Sequence, residues 1–176
     1  MYAEDLSDRL LKIKLLILDV DGVLTDGSLL FDAAGQEIKQ FDVKDGHGIV
    51  LLQRAGIPVA LLTGRCSTIV ERRAAELKIL HVMQGVADKS AAYETLKGHI
   101  GLEDEDIAYV GDDVVDLPVL RQVGCAIAVH DAVTEVKAVA QYITSHPGGK
   151  GAVREVAELI LKTQNHWEHL MQRYYH

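Results

Sequence analysis

Residues 14–27 read KLLILDVDGVLTDG and connect an apolar run directly to an acidic segment that contains two glycines. The four consecutive aliphatic residues 15–18 predict a strand buried on both faces, because a strand with one face in water alternates apolar and polar side chains. Asp19 and Asp21 follow that strand at once. The segment therefore predicts a central strand that presents two carboxylates at its carboxyl end.

This pattern recurs along the chain, where short apolar runs alternate with amphipathic segments. We predict strands at residues 14–19, 58–63, 80–84, 107–111 and 125–129, and helices at residues 46–55, 67–78, 88–97, 116–123, 133–140 and 152–163. Gly98 is predicted to end the third of these helices, the one at 88–97. The alternation is typical of a three-layer α/β, Rossmann-like fold, in which a parallel sheet lies between helices and the crossovers are right-handed.

Two further segments stand apart from the alternation. Residues 28–42 contain two short apolar stretches around Gly35, which predict a β-hairpin that projects after the first strand. Residues 165–176 are rich in His and Tyr, and we expect them to form an exposed C-terminal tail.

Length, charge and cysteine content narrow the class of protein. The 176 residues, 48% of them hydrophobic, predict a single domain over residues 1–176. A net charge of −8 argues against a nucleic-acid partner, and no apolar run approaches the roughly 20 residues that a membrane span needs. Cys66 and Cys125 lack the spacing of a metal site or a disulfide framework, and residues 1–12 are too acidic for a secretory signal. We therefore expect a cytoplasmic protein with no membrane partner.

Side chains of complementary chemistry follow four of the predicted strands. Asp19 and Asp21 follow the first strand, Thr63 the second and Asp112 the fourth, while Lys89 opens the helix after the third. Ligands bind beyond the carboxyl ends of the strands in an open parallel sheet, and so we expect these groups to meet at one edge. Each residue alone is more often a cap, a turn residue or a surface charge, so the signal lies in their order and placement.

This set of residue types suits phosphoryl transfer. Two carboxylates repel a phosphate group unless a divalent cation lies between them, and Mg²⁺ prefers such oxygen ligands. Asp19 can attack phosphorus as a nucleophile, while Asp21 can protonate the leaving oxygen and later take a proton from water. Thr63 can donate a hydrogen bond to a phosphoryl oxygen, and Lys89 can offset its negative charge.

The acidic residues after the fourth predicted strand offer a metal ligand and its support. We expect Asp112 to complete the metal site. Either Asp113 or Asp116 would orient the carboxylate of Asp112, since ligand carboxylates are themselves usually hydrogen-bonded.

Four motifs resemble the haloacid dehalogenase-like (HAD) superfamily of phosphotransferases. They are DVDGVLTDG at residues 19–27, LLTGR at 61–65, Lys89 and GDDVVD at 111–116, and together they span nearly the whole chain. The resemblance implies a phosphorylated intermediate on Asp19 and acid–base catalysis by Asp21. It also implies that Mg²⁺ is bound by the carboxylates of Asp19 and Asp112 and by the backbone carbonyl of Asp21.

More narrowly, the chain is similar to a HAD branch without a cap domain, which hydrolyses 3-deoxy-D-manno-octulosonate 8-phosphate (KDO 8-phosphate) in lipopolysaccharide synthesis. The similarity rests on FDVKDGHGI at residues 41–49, Gly64-Arg65, Arg73 and GGKGAVRE at 148–155. It implies a homotetramer and a small phosphorylated sugar acid as substrate, whose two anionic groups suit arginine. The implied substrate contacts are Asp21, Asp42, Val43, Lys44, Asp45, Gly46, Arg65, Arg73 and Lys89.

Other interpretations remain open from the sequence alone. The same chemistry could serve a nine-carbon, sialic-acid-type 9-phosphate. A phospho-accepting receiver module also gathers acids, Thr and Lys at a sheet edge, but its motif order differs, and a scaffold without catalysis is disfavoured by the intact motifs. Residues 148–151 could form a backbone nest for an anion or a plain flexible turn.

Overall fold

The computed structural model describes residues 2–175, with side chains from residue 5 onward, and its main feature is a six-stranded parallel sheet. The strands along the chain are β1 (Leu15–Leu18), β2 (Leu30–Phe31), β3 (Glu37–Ile38), β4 (Val59–Leu62), β5 (His81–Met83), β6 (Ile107–Gly111), β7 (Cys125–Ala128) and β8 (Tyr142–Ile143). The sheet has the order β5-β4-β1-β6-β7-β8, and all its neighbouring strands are parallel. Every residue of β1 is buried, as its unbroken aliphatic run predicts.

Helices cover the sheet in two groups. They are α1 (Tyr2–Lys12), α2 (Val43–Arg54), α3 (Thr68–Glu76), α4 (Lys89–Ile100), α5 (Leu117–Leu120), α6 (Thr134–Val139), α7 (Ala152–Thr163) and α8 (Trp167–Gln172). Helix α7 packs along α2 and α1, whereas α5 packs against both α4 and α6. Because crossovers between parallel strands are right-handed in nearly all proteins, this strand order puts the two groups on opposite faces, and the predicted three-layer α/β fold is confirmed. None of the helices described between residues 2 and 175 has the length and apolarity to cross a membrane.

The strand order places a crevice beside β1. From β1 the chain winds outward through β4 to β5, and then crosses back to β6 on the other side of β1. In register, Leu18 at the end of β1 pairs with Val110 near the end of β6. The loops after these two strands therefore diverge at the point where open α/β sheets bind their ligands.

The projecting hairpin is present, and no cap domain accompanies it in the described residues. Strands β2 and β3 pair antiparallel, and Gly35 in the turn between them has φ +78°. The apolar residues Leu30, Phe31 and Ile38 are 47%, 58% and 48% exposed.

Three local expectations were wrong or incomplete. Gly98 lies inside α4, which ends instead at Gly101 in the left-handed conformation with φ +75°. Much of the expected exposed tail forms α8, whose Leu170 is only 8% exposed. Helix α1 and the two-residue strand β8 had no counterpart among the predicted elements.

Candidate active site

A cleft of about 750 Å³ opens where β1, β4 and β6 end. All five side chains that were expected to meet at the strand ends line it, namely Asp19, Asp21, Thr63, Lys89 and Asp112. Three of them are almost completely buried, with exposures of 5% for Asp19, 2% for Thr63 and 5% for Lys89. The cleft is therefore lined by several carboxylates and by the buried ammonium group of Lys89.

The acidic loop (residues 19–25) is held in place by its own hydrogen bonds. The amide of Thr25 donates to the carbonyl of Val20 at 3.1 Å, and the Thr25 hydroxyl accepts from the amide of Gly22 at 3.3 Å. Gly22 has φ +90°, and a Cβ atom there would lie 2.1 Å from Oδ2 of Asp112. Only glycine allows both that backbone conformation and this close approach of the carboxylate.

Three carboxylates form a candidate metal centre in the floor of the cleft. Asp19, Asp112 and Asp116 each offer an oxygen, and these oxygens lie within 4.8 Å of one another. Oδ1 of Asp19 and Oδ1 of Asp112 are buried without a hydrogen-bond partner in the described part of the chain. Because buried carboxylate oxygens are costly unless something compensates them, this set fits a hard divalent cation such as magnesium.

Burial weakens the acidity of these carboxyls. Burial, reinforced by the charge of Asp116, raises the pKa of Asp19 to about 6 even though Lys89 opposes the shift. Burial, together with the charges of Asp19 and Asp116, raises the pKa of Asp112 to about 7. A divalent cation on these oxygens favours their ionised form, and so cation and protons compete for the site.

Lys89 is held between two acids at the start of α4. Its Nζ lies 3.1 Å from Oδ1 of Asp19, close enough for an ion pair but without hydrogen-bond geometry. The same atom donates to Oδ1 of Asp116 at 2.6 Å, and the Tyr109 hydroxyl donates to that oxygen at 2.5 Å. Although burial lowers the pKa of Lys89, the two facing carboxylates raise it more, and the net shift is upward. Lys89 therefore remains a cation in the cleft.

Asp116, rather than Asp113, supports Asp112. Oδ2 of Asp116 accepts from the amide of Asp112 at 3.0 Å and from that of Asp113 at 3.4 Å. Asp116 is completely buried, whereas the carboxylate of Asp113 points to the amide of Val114 and caps a short 3-10 turn. The sequence left these two acids as equal alternatives.

A charged cluster at the mouth of the cleft was not predicted from the sequence. It consists of Asp21, Glu37, Lys39 and Arg65, linked by four ion pairs. Glu37 and Lys39 are two positions apart on the hairpin and thus point to the same side, which is the side of Asp21. Period-two alternation along the hairpin was the available signal, but it does not reveal which side faces the cleft.

Comparison with known proteins decides the family. The family model for haloacid dehalogenase-like hydrolases matches residues 62–156, more than half of the chain. That span runs from the end of β4 to the first turns of α7 and contains Thr63, Lys89 and Asp112. The chain belongs to this HAD family.

Several proteins similar to this HAD chain are named as phosphatases. The 3-deoxy-D-manno-octulosonate 8-phosphate phosphatase of Yersinia pestis is 45% identical over 166 residues, which cover 94% of this chain and 89% of that protein. The corresponding phosphatase of Moraxella catarrhalis, solved in complex with a magnesium ion, a phosphate ion and a KDO molecule, is 42% identical with a TM-score of 0.95. That match covers 98% of this chain and 99% of the other.

A cobalt-bound deoxy-D-mannose-octulosonate 8-phosphate phosphatase from Haemophilus influenzae is 46% identical, with a TM-score of 0.86. The match covers 89% of this chain and 92% of that chain. The predictions of an enzyme, of a HAD-type phosphatase and of a magnesium cofactor are confirmed at the level of the family, and the acidic centre of this chain agrees with them.

Several residues that the resemblance assigned to the substrate lie outside the cleft of this HAD chain. Asp42 caps α2 and accepts from the amide of Lys44 at 2.6 Å, while Val43 is 81% exposed. Gly46 lies against Arg73, since a Cβ atom there would be 2.2 Å from Nη2 of the arginine. These residues form a separate surface at the start of α2, and their contact with substrate stays a prediction.

Asp45 is the one buried acid of that surface. It is 1% exposed and accepts backbone hydrogen bonds from Gly151 at 3.2 Å and from Arg154 at 2.8 Å. Its carboxylate thus caps the first turn of α7 and ties α2 to that helix. Of the residues in the predicted substrate set, Asp21, Arg65 and Lys89 line the cleft itself.

The glycine segment (residues 148–151) packs against the acidic loop instead of forming an open anion nest. All four of its amides have partners within the chain: Gly148 N donates to Asp131 Oδ1, Gly149 N to Val23 O, Lys150 N to Pro147 O, and Gly151 N to Asp45 Oδ2. An anion-binding nest needs free amides, and so the nest interpretation was wrong for this chain. The glycine segment thus supports the acidic loop by packing against it.

Proposed function

We propose that this protein is a magnesium-dependent phosphatase that hydrolyses KDO 8-phosphate to KDO and phosphate through a phosphorylated Asp19. One observation carries the proposal: Asp19 lies at the switch point of the sheet with Lys89 at 3.1 Å, and Asp21 lines the same cleft two residues later. The 42% identical relative that holds magnesium, phosphate and KDO supports the choice of substrate. The reaction would belong to lipopolysaccharide synthesis in the cytoplasm.

The first half of the reaction moves the phosphoryl group from the sugar to the protein. A carboxylate oxygen of Asp19 attacks phosphorus, and the bond between phosphorus and the sugar oxygen breaks. The carboxyl proton of Asp21 passes to the departing oxygen, which leaves as an alcohol. The hydroxyl of Thr63 donates to a phosphoryl oxygen, and the ammonium of Lys89 offsets the charge that gathers there.

The second half returns the phosphoryl group to water. Asp21, now a carboxylate, takes a proton from a water molecule as the water oxygen attacks phosphorus. The bond between phosphorus and the Asp19 oxygen breaks, which releases phosphate and restores the Asp19 carboxylate. Asp21 regains its proton in this step, so each group ends in the state in which it began.

The metal would be held by the carboxylates of Asp19 and Asp112 and by the backbone carbonyl of Asp21. When bound, magnesium supplies positive charge that lets a phosphate dianion approach two carboxylates. Asp116 completes the acidic group, but its oxygens already accept from Lys89, Tyr109 and two backbone amides, so it supports the ligands instead of coordinating.

Substrate selection and assembly are linked in this proposal. The cleft is open, and the described residues include no cap domain to cover it. The hairpin exposes Leu30, Phe31 and Ile38, an apolar edge of the kind that closed oligomers bury. A homotetramer formed through the hairpins would cover that edge and enclose the cleft. Phe31→Glu should then give smaller particles in sedimentation velocity, and an unchanged sedimentation coefficient would contradict this assembly.

The substrate is tested by measuring inorganic phosphate release at saturating magnesium. We expect KDO 8-phosphate to be hydrolysed faster than a nine-carbon sugar-acid 9-phosphate and much faster than glucose 6-phosphate, which lacks a carboxylate. Asp19→Asn, purified identically, excludes a contaminating phosphatase. A preference for the 9-phosphate would move the assignment to the nine-carbon acid, and an absence of release from every ester would overturn the proposed activity.

A further inference from the structure

Lys39 is a buried cation on an otherwise exposed hairpin. Its side chain is 2% exposed, while the neighbouring Ile38 is 48% exposed. Lysine is rarely buried to this extent unless it is paired, because its ammonium group loses hydration. Nearby anions must therefore compensate the charge of Lys39.

The partners of Lys39 are Asp21 and Glu37. Its Nζ donates to Oδ1 of Asp21 and lies 3.3 Å from Oε1 of Glu37. Burial raises the pKa of Glu37, but hydrogen bonds from Ser67, Arg65 and Lys39 outweigh it and leave the pKa below its ordinary value. Glu37 is thus an anion that helps to hold the side chain of Lys39 in place.

The two oxygens of Asp21 are held by different cations. Oδ1 is bound by Lys39, and Oδ2 lies 3.5 Å from Nε of Arg65. The Arg65 side chain is 47% exposed, so its attraction is screened by water and its side chain is free to move. Lys39 is the buried partner, and it therefore sets the orientation of the Asp21 carboxyl.

We propose that Lys39 is a positioning residue that holds the carboxyl group of Asp21 toward the oxygen of the leaving alcohol. The inference rests on the proposed function, in which the Asp21 proton passes to that oxygen as its bond to phosphorus breaks. The hairpin thereby takes part in the chemistry, since it carries the group that aims the proton donor. A misplacement of about 1 Å in such a group can cost roughly 100-fold in rate.

Two substrates with different leaving groups can distinguish a positioning role of Lys39 from a general structural role. An alkyl alcohol is a poor leaving group and needs a well-placed proton, whereas p-nitrophenolate leaves without one. We therefore compare Lys39→Met, Lys39→Gln and Lys39→Arg in single-turnover experiments with enzyme in excess. The rate of alcohol release from KDO 8-phosphate and of p-nitrophenolate release from p-nitrophenyl phosphate is measured for each.

Lys39→Met and Lys39→Gln should slow alcohol release by about 30- to 100-fold, while p-nitrophenolate release and the enzyme concentration that gives half the maximal rate with each ester change less than about threefold. Lys39→Arg should recover part of the lost rate, because it restores a cation. Lys12→Met is the matched control, since Lys12 pairs with Glu105 on the surface with both side chains more than half exposed. Its rates should equal those of wild type.

Each outcome has a distinct meaning. Equal losses on both esters, or no loss on either, overturn the positioning role of Lys39 while the proposed function stands. If the wild type hydrolyses another primary alkyl phosphate but not KDO 8-phosphate, the substrate assignment fails, and the same comparison on that ester decides the role of Lys39. A wild type that acts on no ester overturns both.

Discussion

The ammonium group of Lys89 lies 2.6 Å from Oδ1 of Asp116, a carboxylate with no exposed surface. The same acid accepts from the amide of Asp112 at 3.0 Å. Asp116 therefore fixes two groups of the cleft at once, the cation that faces the phosphoryl group and the backbone of a metal ligand. A buried pair of this kind is weak evidence for stability, but it defines where its members point.

Asp116→Asn should impair both the placement of Lys89 and the support of the metal ligand Asp112. The asparagine can still accept from the backbone amides, but of the two carboxylates that pair with Lys89 in the described part of the chain it leaves Asp19 alone. We expect phosphate release to fall by about 100-fold and the magnesium concentration for half-maximal activity to rise by about 10- to 100-fold. Asp113→Asn is the matched comparison, because Asp113 is exposed and its carboxylate accepts from the amide of Val114 instead of from the amide of Asp112. Similar losses in both variants would contradict the assignment of the support to Asp116.

Asp21→Asn should stop the reaction halfway when the leaving group needs no proton. With p-nitrophenyl phosphate, Asp19 can still be phosphorylated, but the water of the second half lacks its base. We expect a burst of about one p-nitrophenolate per active site followed by turnover at least ~100-fold slower than wild type. Intact-mass measurement after an acid quench should detect the phosphorylated protein. The variant should fold, because the asparagine oxygen can accept from Lys39, and an unchanged steady-state rate would remove Asp21 from its role.

Removal of the metal should make stability depend on pH. The pKa of Asp112 is raised to about 7 by burial and by its acidic neighbours, whereas an unfolded Asp titrates near about 4. The folded protein thus binds the proton more tightly, and the stability that it gains is present at low pH and is lost as the pH rises through about 7. In excess chelator the melting temperature should fall between pH 5.5 and 8.

Magnesium should reverse that loss, because it stabilises the ionised carboxylates. We expect a larger rise in melting temperature on adding magnesium at pH 8 than at pH 5.5. Asp112→Asn removes the charge, so its chelated form should lose less stability over the same pH range. Equal effects of magnesium at both pH values would argue against a metal site built on Asp112.

The sequence was sufficient for the main groups of the site because each one is placed by a local rule. Asp19, Thr63 and Asp112 directly follow buried strands, and the parallel order of those strands brings their ends together. Asp113 and Asp116 could not be distinguished in this way. The short 3-10 turn Val114–Asp116 turns the second acid inward, and that geometry depends on the space beneath it.

Features that depend on distant contacts were not predicted. Lys39 meets Asp21 across 18 positions of sequence, so hairpin alternation alone could not reveal the pair. Helix α1 packs on α7, from the opposite end of the chain, and the two residues of β8 are too few to form a recognisable pattern. Gly98 was misread because a glycine inside a helix costs only about 1 kcal/mol, which the packing of α4 outweighs.

The contact between Gly148 and the acidic loop gives a test of how that loop is held. A Cβ atom on Gly148 would lie 1.8 Å from the carbonyl oxygen of Gly22, so Gly148→Ala must push the loop of Asp19 and Asp21 out of place. We expect a loss of about 1–3 kcal/mol in the free energy of unfolding and a fall of about 10- to 100-fold in phosphate release. Gly98→Ala is the matched control, because a Cβ atom there meets nothing within 4 Å and should stabilise α4 by about 0.5–1 kcal/mol. Urea unfolding and turnover per folded molecule measure the two effects separately. Normal turnover in folded Gly148→Ala would mean that the glycine segment stabilises the fold without setting the position of the acidic loop.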